Sequence, residues 1–255
     1  MKNNSHIFRK KWGQNFLMDS NLLDRIVRTV EPQENDNFLE IGPGDGSLTE
    51  LIFPKVKQMV VVEIDPLLIK HLSIRSDLDG LNIIHGDILL QDIQDLPIQN
   101  PVRIVGNIPY NITSPIIFWL IEQLDFWDDA FIMMQKEVAQ RLTAHVGTKE
   151  YSRISVVVGA YLNMEMCFKI SPEVFFPKPK VESAIIRFTK KASPIIADNE
   201  YIKFNKIVKM AFSKRRKMLR NSLKDSNIPI SIQEEIDFTR RPETLSIEEF
   251  AKLIH

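Results

Sequence analysis

The sequence predicts an α/β fold followed by a small all-helical unit, and three observations carry that expectation. Between Asn37 and Phe188, short apolar runs rich in β-formers alternate with helix-like stretches, the pattern of a parallel sheet covered on both faces by helices. After Thr189 the strand-like texture stops and apolar residues recur at helical spacing. Charge divides at the same place. The first 190 residues hold 20 Lys/Arg and 24 Asp/Glu, whereas the chain from Lys191 onward holds 13 and 9.

Taken in order, the strand candidates are Phe38 to Ile41, Met59 to Ile64, Asn82 to His85, Val102 to Val105, Ala130 to Met134, Ile154 to Val158 and Ala184 to Phe188. Lys190-Lys191-Ala192-Ser193-Pro194 reads as a linker. Beyond it, Phe204, Val208, Ala211, Leu219 and Leu223 predict one amphipathic helix. Its opposite face would carry Ser213, Lys217, Arg220 and Lys224. The expected domains are therefore 1–190 and 191–255.

The bulk numbers exclude several classes. A hydrophobic fraction of 44% over 255 residues allows a full core. The longest apolar run, from Pro115 to Ile121, is far short of the ~18–20 residues of a membrane span. The first residues, MKNNSHIFRKKWGQNF, are positive but lead into no apolar stretch, so no secretory signal is expected. The one cysteine, Cys167, permits no internal disulfide, and the five histidines show no metal-ligand spacing. A reducing, cytoplasmic location without membrane contact and a site without metal are the expectations. With 33 basic and 33 acidic residues, the chain is not a strongly basic nucleic-acid protein as a whole. The dense cluster Lys214-Arg215-Arg216-Lys217, with Arg220, nonetheless suits a polyanion.

The first candidate site begins where Phe38 to Ile41 runs into Gly42-Pro43-Gly44-Asp45-Gly46-Ser47. A strand feeding a glycine-rich turn that opens a helix is the cofactor corner of Rossmann-like folds. Here the pattern is G-x-G-x-G. The missing G-x-G-x-x-G spacing turns the reading away from a dinucleotide pyrophosphate and toward a cofactor without phosphate. The next run ends in Glu63, placed to accept hydrogen bonds from both hydroxyls of a ribose. The third ends in Gly86-Asp87, where the aspartate can accept an adenine amine. Each acid alone is an ordinary strand end or turn residue; the three in succession describe a cofactor laid across the carboxyl edge of a sheet.

The most specific signal is Asn107-Ile108-Pro109-Tyr110, directly after the fourth strand. The N6 lone pair of adenine is delocalised into the ring and is a poor nucleophile. An Asn107 side-chain carbonyl and the Ile108 backbone carbonyl could each accept an N6–H, drawing the nitrogen toward sp³ character. Pro109 fixes the loop, and Tyr110 offers a π-face to an unstacked base. Catalysis would then rest on positioning, which can supply ~7–11 kcal/mol.

These motifs together resemble the ribosomal RNA adenine dimethyltransferases. The likeness runs from Lys10 to about Leu223 through KKWGQNFL at 10–17, LEIGPGDGSLT at 39–49, VEID at 62–65, HGDIL at 85–89, GNIPYNITSPI at 106–116, VFFPKPKVESAI at 174–185 and FSKRRKMLRNSL at 212–223. It implies a Rossmann-like S-adenosylmethionine-dependent methyltransferase domain with a small helical C-terminal domain that binds RNA. Asn15, Leu17, Gly42, Gly44, Glu63, Asp87 and Asn107 become the implied cofactor contacts. Asn107, Tyr110 and Phe175 become the catalytic, base-facing residues. Read from the residues alone, Phe16, Phe175 and Phe176 are hydrophobic anchors. Lys214, Arg215, Arg216, Lys217 and Arg220 are the implied RNA contacts, with Arg9 to Lys11, Lys178 and Lys180 as the alternative grip. Ile108 stands where the family often has Leu and acts through its backbone.

Within the family, the RRKMLRNSL stretch, the full PKPKVESAI segment and the near-neutral charge resemble the branch that dimethylates two adjacent adenosines in a hairpin near the 3′ end of small-subunit rRNA. The implied partner is that rRNA within a ribosomal particle, met by a monomer. The competing readings are a large-subunit adenosine methyltransferase of macrolide resistance, a DNA adenine methyltransferase, for which 65 helical residues are a small target-recognition domain, and a ribosome-assembly factor.

Overall fold

A computed structural model describes residues 15–254, which form two compact units, 15–136 with 165–189, and 137–164 with 190–254. The motif pieces at 10–14 and the Arg9 to Lys11 alternative lie outside the described residues.

The described residues contain nine strands: β1 (Phe16–Leu17), β2 (Asn37–Ile41), β3 (Gln58–Glu63), β4 (Asn82–His85), β5 (Val102–Asn107), β6 (Trp127–Gln135), β7 (Leu162–Ile170), β8 (Phe175–Phe176) and β9 (Ser183–Lys190), all in the larger unit except the first three residues of β7 and the last of β9. Seven form one sheet in the order β4-β3-β2-β5-β6-β9-β7, and β1 pairs with β8 in a separate two-stranded ribbon. β2, β3, β4, β5 and β6 pair in parallel. The strand order reverses beside β2, which has β3 on one side and β5 on the other; such a switch point opens a crevice at the carboxyl ends. The central strands are apolar along their length because both faces are covered. In β2 the residues from Phe38 to Ile41 are all buried, as are those from Met59 to Glu63 in β3.

Helices α1 (Ser20–Val30), α2 (Thr49–Ile52), α3 (Pro66–Ser73) and α4 (Thr113–Glu122) belong to this unit. Asp19 caps α1, its Oδ1 accepting from the Leu22 amide at 2.8 Å, and Leu22, Leu23, Ile26, Val27 and Val30 turn inward. They pack with Phe38, Met59, Val61, Phe131 and Ile185 in one core cluster, each large side chain contributing about 1.5–3 kcal/mol by leaving water. Asp65 caps α3 with Pro66 in its first turn.

The smaller unit contains α5 (Lys136–Leu142), which begins at the unit's edge, then α6 (Arg153–Gly159), α7 (Tyr201–Ser213), α8 (Leu219–Ser222), α9 (Ile230–Glu235) and α10 (Ile247–Lys252). Phe204, Val208, Ala211, Leu219, Leu245 and Phe250 are its buried centre, with Phe212 stacked on Phe250 at 5.8 Å between centroids. A Cβ on Gly159 would lie 2.7 Å from Ile247 Cδ1, so the glycine sets the close approach of α6 to α10.

Four expectations need correction. The sheet is mixed, because β9 runs antiparallel to β6. Ile154 to Val158 is helical, within α6: the Ser152 amide donates to Ser155 Oγ at 3.0 Å, and a short apolar run buried from Ser155 onward has no periodicity to separate helix from strand. Phe204 to Leu223 is not one helix. α7 stops at Ser213, a turn follows in which the Lys217 amide donates to the Lys214 carbonyl at 2.8 Å, and α8 starts at Leu219. In a continuous helix Lys214 would face Lys217 and Arg216 would face Arg220, like charges at i,i+3 and i,i+4, and Arg215 is held instead by the carbonyls of Thr148, at 3.3 Å, and of Lys149. Finally, a boundary at 190 does not describe the whole small unit, since 137–164 groups with the C-terminal segment.

Candidate active site

At the carboxyl edge of the parallel strands the larger unit encloses a cavity of about 520 Å³. β2 delivers the glycine turn. Gly42 and Gly44 have φ of 65° and 62°, a region that L side chains avoid. A Cβ on Gly44 would meet the Phe16 ring at 3.2 Å, whereas at Gly42 the same position opens on free space. The turn thus brings bare backbone to the cavity wall, with Phe16 seated over it.

β3 delivers Glu63, 3% exposed. Its Oε1 accepts from the amides of Ile64 and Asp65, both at 2.9 Å, and its Oε2 from the Gly44 amide at 3.4 Å. Burial pushes its pKa up, against the pull of those three amides. β4 delivers Asp87, whose Oδ1 accepts from the Leu89 amide at 3.0 Å, leaving its other oxygen uncommitted.

β5 delivers Asn107. Its Nδ2 donates to the Asn15 carbonyl at 2.9 Å, which fixes the orientation of the amide and leaves Oδ1 as a pure acceptor. Tyr110 opens the turn that follows. Its hydroxyl lies 2.6 Å from Ser183 Oγ at the start of β9, joining the Asn-Ile-Pro-Tyr loop to the end of the Pro-Lys-Pro-Lys segment. Burial raises the Tyr110 pKa, so the phenol stays neutral.

The wall of this one cavity brings together Asn15, Leu17, Gly42, Gly44, Glu63, Asp87 and Asn107, with Ile108 and Pro109 beside them. Tyr110 stands just outside it, half-buried. The expectation that Phe175 faces a base needs correction. Phe175 is 4% exposed within the core cluster, opposite Leu17 in the ribbon, while Phe176, opposite Phe16, is 55% exposed. The pleat sends neighbouring side chains to opposite faces, and the more apolar surroundings took Phe175.

Sequence reasoning missed Glu40, Asp45, Ser47 and Asn111, which also line the cavity. The available signal for Glu40 was a lone ionisable residue inside an apolar strand. It is 2% exposed, and its Oε2 accepts from Thr49 Oγ1 at 2.6 Å. Among the described residues no group of His, Cys, Asp or Glu could hold a metal, and no helix is long and apolar enough to cross a membrane.

In the smaller unit, Lys214, Arg216, Lys217 and Arg220 are exposed, the first three on the turn after α7 and Arg220 on α8, while Arg215 is half-buried.

A switch point carrying a glycine turn, two acidic strand ends and an amide acceptor defines an α/β enzyme of the methyltransferase class. The ribosomal RNA adenine dimethylase family model matches residues 5–255, and the chain belongs to that family. It is 41% identical to the ribosomal RNA small subunit methyltransferase A of Saccharophagus degradans, over 97% of this chain and 94% of the relative. To the protein of the same name from Legionella pneumophila it is 40% identical, over 97% of each. Among solved structures it is similar to a dimethyladenosine transferase from Plasmodium falciparum, with TM-score 0.81, 27% identity and coverage of 93% and 95% of the two chains. It is also similar to the 23S rRNA methyltransferase ErmE, with TM-score 0.72, 28% identity and coverage of 94% and 98%.

Proposed function

We propose that this enzyme transfers methyl groups from S-adenosyl-L-methionine to the N6 amines of two adjacent adenosines in a hairpin near the 3′ end of small-subunit (16S) rRNA, acting as a monomer on a ribosomal particle in the cytoplasm. The observation that carries the chemistry is Asn107, whose amide is oriented by donation to the Asn15 carbonyl, so that its oxygen is the acceptor available to an incoming amine. The names of the 40% identical relatives favour the small subunit over the large.

The cavity fits the donor. Glu63 and Asp87 are acceptors for ribose hydroxyls and an adenine amine. Gly42 leaves room for a ligand against the backbone, and no cation among the described cavity residues awaits a phosphate. When bound, the donor supplies an electrophilic methyl on a cationic sulfur. The chain does the rest. Asn107 Oδ1 and the Ile108 carbonyl accept the two N6–H bonds and aim the nitrogen lone pair. The Tyr110 ring, held through Ser183, stacks on the flipped base. The methylated amine then loses its proton to water without a dedicated base.

Lys214, Arg216, Lys217 and Arg220 would hold RNA phosphates; Arg215, tied to carbonyls, adds charge at close range. Incubating the protein with labelled S-adenosylmethionine and unmethylated small subunits, large subunits or DNA, then mapping the label, tests the target. Label confined to large subunits or DNA would sink the reading. Replacing Arg216, Lys217 and Arg220 with Ala should flatten the salt dependence of particle binding by about 0.7–0.9 in log–log slope per lost phosphate contact, with donor affinity unchanged. An unaltered slope would leave these residues as a solvated surface.

A further inference from the structure

Glu40 is a buried acid that the chemistry above does not use. It lies two residues before Gly42 on β2, its Oε2 accepts from Thr49, and no salt bridge among the described residues reaches it. The acids facing it are Asp45 and Glu63; Asp87 shares the cavity. Among the described residues no cation pairs with it; Arg75, which donates to the Asp45 carbonyl at 2.7 Å, is engaged with Glu50 and Asp77.

The strand order gives its place along the ligand. The edge runs β4-β3-β2-β5, so it presents Asp87, Glu63, Glu40 and Asn107 in that sequence. This inference rests on the cofactor reading: with the adenine at Asp87, the ribose at Glu63 and the reacting methyl at Asn107, the remaining part of the ligand near β2 is its amino-acid end. That end carries an α-ammonium.

We infer that in mildly acidic solution the buried Glu40 of the ligand-free enzyme is a neutral carboxylic acid and gives up its proton to solvent when the α-ammonium of the methyl donor binds, so that donor binding is coupled to proton release. The O–H bond of the carboxyl breaks, the proton leaves to buffer, and the carboxylate remains as the counter-charge of the ammonium. Burial first, with Asp45 and Glu63 adding to it, raises the free acid to about 7, and only the Thr49 hydroxyl opposes. A cation placed beside the group reverses that balance. Affinity should therefore fall as pH drops below 7, approaching about tenfold per unit until the pKa of the complex is reached.

Calorimetric titration of the full-length protein at pH 6 tests this, in phosphate and in imidazole, buffers of unlike ionisation enthalpy. S-adenosylmethionine and S-adenosylhomocysteine should each release about one proton per site, because both carry the ammonium. Glu40→Gln, which keeps an acceptor for Thr49, should bind either ligand more weakly with no release. Difference infrared spectra of the wild type should show a protonated-carboxyl band lost on ligand addition, which decides the matter even if the variant fails to fold. Binding heats identical in both buffers, release by S-adenosylmethionine alone, or undiminished release in Glu40→Gln would each overturn the inference while leaving the cofactor reading intact. No binding of either ligand at any pH would instead overturn the cofactor reading on which it stands.

Discussion

The two ends of the central strands handle charge in opposite ways. At the amino-terminal end, Arg103 on β5 donates Nε to Asp129 at 2.8 Å, Nη1 to Asp36 at 2.8 Å and Nη2 to the Val30 carbonyl at 2.7 Å. Its guanidinium also lies 5.2 Å from the centre of the Phe38 ring. Arg187 reaches Asp129 from β9 at 3.2 Å. At the carboxyl end, Glu40, Glu63 and Asp87 meet only a hydroxyl and backbone amides, and no ion pair among the described residues includes them. One end has closed its electrostatics within the fold; the other has left them open. Buried acids without ionic partners are costly, whether they stay charged or are held neutral, so an end that keeps them is built to receive something from outside.

The sharpest way to break this contrast is at the open end. Asn107→Ala should lower turnover by about 10²–10³-fold, the usual loss when one preorganised polar group at a reacting centre is removed, with particle binding little changed. Single-turnover methylation near the wild-type rate would take Asn107 out of the chemistry. At the closed end, Arg103→Met strands Asp36 and leaves the buried Asp129 with Arg187 alone. Unfolding free energy should drop by about 3 kcal/mol in denaturant titrations, with donor affinity preserved. A matching loss of affinity would show that the two ends are not independent.

Glu40→Gln sharpens the contrast through stability. Glu40 ionises near 4.5 in the unfolded chain and at about 7 in the ligand-free fold, chiefly through burial. Between those values the folded state holds the extra proton, so wild-type stability falls as pH rises through the window. Relative to wild type, the Gln variant should gain about 2 kcal/mol on going from pH 5 to pH 8, measured by thermal unfolding without ligand. A pH-independent difference would mean that Glu40 is already ionised in the fold.

The sequence made the open end more legible than the small unit. Gly42, Gly44, Glu63, Asp87 and Asn107 sit at strand ends, where a few residues carry both the turn and the chemistry, and local pattern finds them. Glu40 escaped because a single acid in an apolar strand looks like tolerated noise until its burial is known. Phe175 and Phe176 differ only by the pleat, and which ring turns inward depends on pairing with β1 across 160 residues. β7 was missed although Leu162, Met164, Met166, Phe168 and Ile170 alternate with other residues. Ile154 to Val158 reads as either element because the run is short and buried from Ser155 onward. The basic turn interrupts what spacing alone makes a continuous helix, since the carbonyls that capture Arg215 come from 66 and 67 residues away.

The hydrogen bond between Asn107 Nδ2 and the Asn15 carbonyl has a consequence for which bases the enzyme refuses. An amide free to turn would offer its NH2 to a guanine or inosine O6 as readily as its oxygen to an adenine amine. With the amide oriented by one of its two N–H groups, a 6-oxo purine at the target position brings lone pair against lone pair, and turning the amide to offer its NH2 would break the bond to Asn15. Discrimination by a polar group left unpaired is worth about 1–3 kcal/mol. An rRNA hairpin with inosine at the target positions should therefore compete for the enzyme correspondingly less well than its adenosine parent. Equal competition would mean that the carbonyl of Asn15 holds the amide in place without making it selective.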